Sequence, residues 1–317
     1  MNRAALQRLA ARIAPGTLGE IVRLSGGATQ ELWRFDIDGA RYVLRRSGSG
    51  DQPPAIGVSL TEEAGLIVAA GKRGVPVPRV VHILEAADAL GAGFVMAYVE
   101  GEALGARIVK DPTLAHARTM LAAQCGAALA RIHSVDTDPL PGLIDQSPAD
   151  IVAQWHMAYR AGTIRRPVFE AAFRWLDTHH PGETSAARLV HGDFRNGNIM
   201  VGPEGLTAVL DWELAHIGDP MEDLGWICVN SWRFGRIGLP VGGFGTREQL
   251  YAGYEAAGGC VDRAAAQWWE MLGTLRWGVM TTGSLARVRD GDMSIERAMI
   301  ARRTSETEID LLAMLAA

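Results

Sequence analysis

The sequence predicts an α+β fold in two lobes, a small antiparallel β lobe followed by a larger, mainly helical one. Three observations lead there. Short alternating apolar runs separated by turn residues fill the first hundred residues, apolar residues at three-to-four spacing dominate beyond residue 104, and one β-rich island, residues 188–211, interrupts the helices. With 317 residues the chain has material for about two lobes around a buried core. Its 48% apolar and 21% charged residues are those of a globular protein, not a disordered or fibrous one.

In chain order, residues 3–13 alternate Arg with Ala and Leu at helical spacing and predict a short amphipathic helix. No uninterrupted apolar stretch follows it, and no run of 18 apolar residues occurs elsewhere. A leader and a membrane span are therefore not expected, and the expected location is cytoplasmic. Three strands are expected in Ile21-Val22-Arg23-Leu24, Glu31-Leu32-Trp33-Arg34-Phe35 and Tyr42-Val43-Leu44-Arg45, separated by Gly26-Gly27 and by Asp38-Gly39. The second pair is a strong hairpin signal, because a tight turn there needs positive φ at both positions. After the polar stretch 47–54, residues 59–72 read as a helix broken by Gly74-Val75-Pro76-Val77-Pro78. Residues 80–84 and 93–99 complete five antiparallel strands with one inserted helix. Helices are then expected over 112–133, 149–159, 168–178, 247–257, 263–287 and 294–315, with no internal repeat and no low-complexity tail. The lobe boundary is expected between residues 97 and 98, dividing the chain into 1–97 and 98–317.

Charge narrows the function. There are 31 basic and 36 acidic residues, a net charge of −5, which argues against a nucleic-acid partner. Only Lys72 and Lys110 are lysines; the other 29 basic residues are arginines. A Walker A loop needs Gly-Lys-Ser/Thr after a glycine-rich turn. Gly71-Lys72 is followed by Arg73 and lacks the upstream glycine, so a P-loop NTPase is excluded. The three cysteines, Cys125, Cys228 and Cys260, have neither disulfide-framework nor zinc-ligand spacing, and are expected as small buried residues in a reducing compartment.

The β island reads Leu189-Val190-His191-Gly192-Asp193-Phe194-Arg195-Asn196-Gly197-Asn198-Ile199-Met200, and Val209-Leu210-Asp211-Trp212-Glu213 follows. Phosphoryl transfer requires a carboxylate to orient and deprotonate the attacking hydroxyl, and hard oxygen ligands to hold Mg²⁺ against the phosphates. The Asp193-to-Asn198 spacing equals that of the kinase catalytic loop. Two short strands bracketing a turn would bring Asn198 and Asp211 side by side. Singly, each residue has a plainer use: Asp193, Asn196 and Asn198 as turn formers, Asp211 as a strand end. Together they point to phosphotransfer chemistry. His191 is expected to brace the loop rather than move a proton.

At these residues the chain resembles the aminoglycoside phosphotransferase family of kinase-like enzymes. The resemblance rests on His191-Gly192-Asp193-x-x-x-x-Asn198, Leu210-Asp211-Trp212-Glu213 and Gly218-Asp219-Pro220-x-x-Asp223-Leu224. It extends through Val75-Pro76-Val77-Pro78, Phe94-Val95-Met96-Ala97-Tyr98-Val99-Glu100-Gly101 and Leu129-Ala130-Arg131-Ile132-His133. Within that family it looks most like the branch related to the kinase-like domain of acyl-CoA dehydrogenase fusion proteins. The resemblance implies a protein-kinase-like two-lobed fold, ATP and Mg²⁺ as cofactors, Asp193 as catalytic base, and Asn198 and Asp211 as metal ligands. It also implies that the backbone of Ala97, Tyr98 and Val99 lines the adenine pocket. The loop Ser25-Gly26-Gly27-Ala28-Thr29 would lie over the phosphates, although a plain hairpin turn fits it as well. Asp219 and Asp223 resemble positions that brace the metal segment and start the next helix, an N-cap being the simpler use for one of them.

One position departs from the pattern. Kinases place a lysine on the third strand, paired with a helix glutamate; here Arg45 stands on that strand, and Glu63 falls at the pairing position on the helix. Arginine can grip a carboxylate and a phosphate bidentately. Arg46 should face the other way, because strand side chains alternate. An exposed Arg45/Glu63 pair with no phosphate role is the alternative.

Eight of the nine tryptophans lie beyond residue 150, and residues 224–317 carry ten acidic and ten basic side chains. Evenly charged helices offer little attraction to a polycation. The expected acceptor is therefore a small hydroxylated metabolite with an apolar or anionic part, not an aminoglycoside. Residues 236–245 are expected either as a lip over the acceptor site or as an ordinary surface loop. The leading expectation is a Mg-ATP-dependent small-molecule O-phosphotransferase; the alternative is a non-catalytic, pseudokinase-like nucleotide-binding regulator. A protein kinase ranks last, since no Ala-Pro-Glu segment follows Asp211, and no Gly-x-Ser-x-Gly elbow supports a hydrolase.

Overall fold

The computed structural model describes residues 1–24, 30–48, 57–138, 140–182, 187–291 and 293–316. Helix α1 (Arg3–Ile13) is capped by Asn2, whose side chain accepts from the Ala5 amide at 3.2 Å. Its buried face, Ala5, Leu6, Leu9 and Ala10, packs on Phe35, Leu44 and Val95 of the sheet behind it. That sheet contains β1 (Leu18–Arg23), β2 (Gln30–Ile37), β3 (Ala40–Ser47), β4 (Val80–Ile83) and β5 (Gly93–Ala97), separated between β3 and β4 by α2 (Leu60–Lys72). It is antiparallel throughout, in the order β1-β2-β3-β5-β4. The β2–β3 turn uses the expected pair, with φ of 46° at Asp38 and 86° at Gly39. A capping box between Ser59 and Glu62 starts α2, which buries Ala64, Leu66, Ile67 and Ala70.

The helical lobe follows with α3 (Gly105–Lys110), α4 (Ala115–Ile132), α5 (Pro148–Ala161) and α6 (Pro167–Thr178). Two small antiparallel pairs come next: β6 (Arg188–Val190) with β9 (His216–Gly218), and, in the chain between them, the hairpin of β7 (Ile199–Gly202) with β8 (Gly205–Val209). Helices α7 (Met221–Trp226), α8 (Arg247–Ala256), α9 (Arg263–Arg289), α10 (Ile295–Ala301) and α11 (Thr304–Leu315) complete the chain. This is the kinase-like fold. One apolar core joins the lobes: Leu66, Ile67 and Phe94 from the β lobe meet Leu121, Ile199, Val209, Trp212 and Leu272. Full burial of each such side chain contributes about 1.5–3 kcal/mol.

Three details differ from the sequence expectation. The helix expected over 294–315 is two helices, α10 and α11. The six-residue α3 and α7 are too short to show a helical period and were not expected. Cys125 and Cys228 are buried as expected, whereas Cys260 is exposed. Among the described residues, no helix is long and apolar enough to cross a membrane.

Candidate active site

The site is built on the β7–β8 hairpin. Ile199 pairs with Val209, and the Leu210 amide donates to the Asn198 carbonyl at 2.8 Å. Asn198 and Asp211 therefore leave the hairpin at the same end. Asp211 is held at φ 63°, a left-handed conformation that only a few residue types tolerate. The loop before β7 turns at Gly192, φ 76°, where a Cβ would lie 2.4 Å from the Leu214 carbonyl oxygen. Only glycine allows the two segments to approach that closely.

Asp193 is held by three donors. Its Oδ1 accepts from Trp226 Nε1 at 2.7 Å and from Arg195 Nε at 3.0 Å, and its Oδ2 accepts from Asn198 Nδ2 at 2.7 Å. With Asn198 Nδ2 turned toward Asp193, its amide oxygen points away from that carboxylate. His191 uses both ring nitrogens inside the protein: Nε2 donates to the Leu210 carbonyl at 3.0 Å, and Nδ1 accepts from the Asp193 amide at 3.3 Å. The loop backbone is gripped by Asp223, which is fully buried and accepts from the His191 and Gly192 amides at 2.7 and 3.0 Å. Behind it, His133 Nε2 lies 3.2 Å from Asp223, and His133 Nδ1 lies 2.8 Å from the Tyr254 hydroxyl. Burial alone would raise the Asp223 carboxyl, but the hydrogen bonds from the His133 ring and the His191 backbone amide hold it below the ordinary range. Pro220 is the N-cap of α7 and makes no side-chain cap bond; Asp219 just before it accepts from the Met221 amide and from Trp269 Nε1, both at 2.9 Å.

The strand cation faces this loop. Arg45 is 9% exposed and Glu63 1%, so the pair is buried, with Nε 3.1 Å from the carboxylate. Arg45 also reaches Asp211 at 2.6 Å and Glu213 at 3.4 Å through Nη2, and Gln30 through Nε. Burial pushes the Glu63 carboxyl up to about 7, against the pull of Arg45. Burial and the Asp211 charge likewise raise Glu213. Burial alone would lower the Arg45 guanidinium, but Glu63 and Asp211 hold it above its ordinary range. Arg46 points to the other face, pairing with Glu31 at 2.6 Å. The Glu63 carboxylate also accepts from the Trp212 amide at 3.2 Å, tying α2 to the Asp211 segment.

At the junction of the lobes, the Ala97 and Tyr98 amides donate to the carbonyls of Arg79 and Arg41 at 2.9 and 3.0 Å. No carbonyl among the described residues accepts from the Val99 amide. Ser25, Gly26 and Gly27, expected over the phosphates, lie outside the described residues. The segment 241–245 is buried, and Asn196 of the loop donates to the Gly242 carbonyl at 2.9 Å. It is an anchored wall, and only residues 235–238 are exposed beside it.

A magnesium ion fits the donors present. Mg²⁺ takes hard oxygens, commonly one or two from protein with the remainder from phosphates and water. The Asn198 amide oxygen and the Asp211 carboxylate are two such donors on one hairpin end. Among the described residues no group of three or more His, Cys, Asp or Glu is placed to hold a metal ion by itself. Sequence reasoning missed Trp226, Arg195, Gln30 and Glu213. An indole or amide announces no chemistry in a sequence, and its partners are chosen by tertiary packing.

A profile described as the phosphotransferase enzyme family matches residues 20–269. Acyl-CoA dehydrogenase family member 10 of Mus musculus is 32% identical over 223 residues, 66% of this chain and 20% of that protein. Acyl-CoA dehydrogenase family member 11 of Homo sapiens is 31% identical over 195 residues, 58% of this chain and 24% of that protein. The chain thus spans about a fifth to a quarter of the length of these relatives. Among solved structures, a candidate aminoglycoside phosphotransferase from Ralstonia eutropha superposes with a TM-score of 0.76 at 21% identity, covering 99% of this chain and 98% of that one. Spectinomycin phosphotransferase in complex with ADP and spectinomycin gives 0.67 at 13% identity, covering 99% and 98%. Both likenesses are of fold.

Proposed function

The chain belongs to the phosphotransferase enzyme family, and from that premise we propose that it moves the γ-phosphate of ATP, with Mg²⁺, to a hydroxyl of a small molecule other than an aminoglycoside. The observation behind this reading is the convergence of Asp193, Asn198 and Asp211 at one hairpin end, facing the buried Arg45–Glu63 pair. Residues 1–97 form the nucleotide-binding lobe and 98–317 the catalytic and acceptor-binding lobe. The Ala97 and Tyr98 amides being committed within the protein, Val99 is the hinge donor left to meet the adenine edge. Arg45 leaves Asp211 for the α- and β-phosphates, and Glu63 keeps it on the strand face. Bound magnesium, held by Asn198 and Asp211, supplies charge neutralisation at the phosphates. Asp193 orients the acceptor hydroxyl and takes its proton as the new P–O bond forms and ADP leaves.

Three facts support the acceptor class: even charge in the C-terminal helices, aromatic rings close to Asp193, and relatives whose names place them in acyl-CoA metabolism. The acceptor is a hydroxylated metabolite with an apolar or anionic part, and the enzyme works in the cytoplasm. The test is ATP consumption across a library of hydroxylated metabolites with wild type, Asp193→Asn and Asp211→Ala. Turnover stimulated by one compound and abolished by Asp193→Asn is expected, as is loss of Mg²⁺-dependent nucleotide affinity in Asp211→Ala. Tight Mg-ATP binding without turnover on any acceptor would replace this reading with a nucleotide-binding regulator.

A further inference from the structure

We propose that Trp226 is a positioning residue for Asp193, fixing which carboxylate oxygen meets the acceptor; this rests on the reading of Asp193 as the base. Trp226 is 4% exposed and lies at the end of α7, three residues after Asp223. Positions three apart share a helix face. One turn of α7 thus grips the loop twice, Asp223 holding the His191 and Gly192 amides and Trp226 holding the Asp193 side chain. The indole is itself fixed, with the Arg276 guanidinium 4.6 Å from its ring centre and Trp232 packed edge-on at 5.2 Å. Trp232 in turn lies 4.8 Å beneath the Arg195 guanidinium, the second donor to Asp193.

Each carboxylate oxygen has two lone-pair directions. On Oδ1 both are used, by Trp226 Nε1 and Arg195 Nε. On Oδ2 one is used, by Asn198 Nδ2. The remaining Oδ2 lone pair is the acceptor site for the substrate hydroxyl. The hydroxyl proton passes to Oδ2, its oxygen bonds to the γ-phosphorus, and the bond from that phosphorus to the bridging oxygen breaks to leave ADP. Without the indole N–H, Oδ1 regains a free lone pair and only Arg195 and Asn198 still hold the carboxylate against turning about its Cβ–Cγ bond.

The cluster contains its own control. Trp277 packs in the same aromatic group, 4.9 Å from Trp232, and its Nε1 has no hydrogen-bond partner among the described residues. Trp226→Phe and Trp277→Phe remove similar volume from one cluster, but only the first removes a donor to Asp193. Two measurements follow. In ¹H–¹⁵N spectra, Asp193→Asn should move the Trp226 indole resonance and leave that of Trp277 in place. In steady-state ADP release from Mg-ATP with water as acceptor, Trp226→Phe should lower kcat by roughly tenfold or more, the loss of one hydrogen bond to a charged group. KM for ATP should stay within about twofold, and Trp277→Phe should keep kcat within about twofold. Replacement of Trp226 by benzothienylalanine, the same shape without the N–H, should repeat the kcat loss. Equal effects of the two Phe variants, full activity with benzothienylalanine, or an unmoved Trp226 resonance would each overturn the proposal. Wild-type ADP release by Asp193→Asn would instead overturn the reading of Asp193 beneath it.

Discussion

At Arg45 a single side chain answers to three carboxylates, Glu63, Asp211 and Glu213. The cost of losing it depends on pH, and the sign follows from Glu63. The Glu63 carboxyl is raised in the fold from an ordinary 4.5 to about 7. Its contribution to stability is therefore fully present below about 4.5 and is lost as pH rises through about 7. Without Arg45 the carboxyl rises further, so more is lost. Arg45→Met should destabilise the protein by about 3 kcal/mol at pH 8, the penalty for a buried charge left alone. At pH 5, where Glu63 is protonated, the loss should be much smaller. Chemical denaturation at the two pH values checks this, and an equal loss at both would show that Glu63 is not the group responsible. That Arg45 and Glu63 would meet was legible through the resemblance to kinases, which pair a third-strand cation with a helix glutamate. That Arg45 would also hold Asp211 was not, since the contact spans 166 residues and depends on how the lobes close.

Helix α7 shows the limit of reading elements from a sequence. Six residues cannot display an amphipathic period, and all six are buried, so no polar face marks it. Yet Asp223 on this helix holds the loop that carries Asp193, and its depressed pKa carries a testable sign. A carboxyl whose folded pKa lies below its ordinary 3.8 contributes stability above that value and loses it as pH falls through the folded pKa. Asp223→Ala should cost about 3–5 kcal/mol near neutral pH, because it strands two backbone amides and His133 in the interior. The variant should also lose the share of the acid-side fall in stability that Asp223 is expected to contribute below about pH 4. Denaturation midpoints from pH 2 to 7 measure both effects; a variant as stable as wild type would show that the loop needs no such brace. By contrast α2 was legible almost to the residue, since Ser59 and Glu62 form a capping box that the pattern Ser-x-x-Glu announces.

At the scale of the molecule, the lobes meet through the Asp211 segment. The Val58 amide donates to the Glu213 carbonyl at 2.9 Å, and Val209 donates to the Pro76 carbonyl at 2.8 Å. Gly57 adopts φ 105°, and a Cβ there would lie 2.2 Å from the Glu213 oxygen. Gly57→Ala should push the two segments apart and weaken Mg-ATP binding, by roughly tenfold if one inter-lobe hydrogen bond to the site is lost. Isothermal titration measures it, and unchanged affinity would show that this approach is not needed for nucleotide binding. The lobe order was legible because alternation fills the first hundred residues and helical periodicity dominates the rest apart from the 188–211 island; the inter-lobe contacts were not, because they are made by backbone groups that every residue shares. One consequence concerns chemical labelling. Nucleotide-site reagents that acylate an amine rely on a lysine beside the phosphates, and this chain offers only Lys72 and Lys110, both exposed at the C-terminal ends of α2 and α3. A guanidinium held protonated by two carboxylates is no nucleophile. Amine-directed affinity labels should therefore find no lysine beside the proposed nucleotide site in this chain.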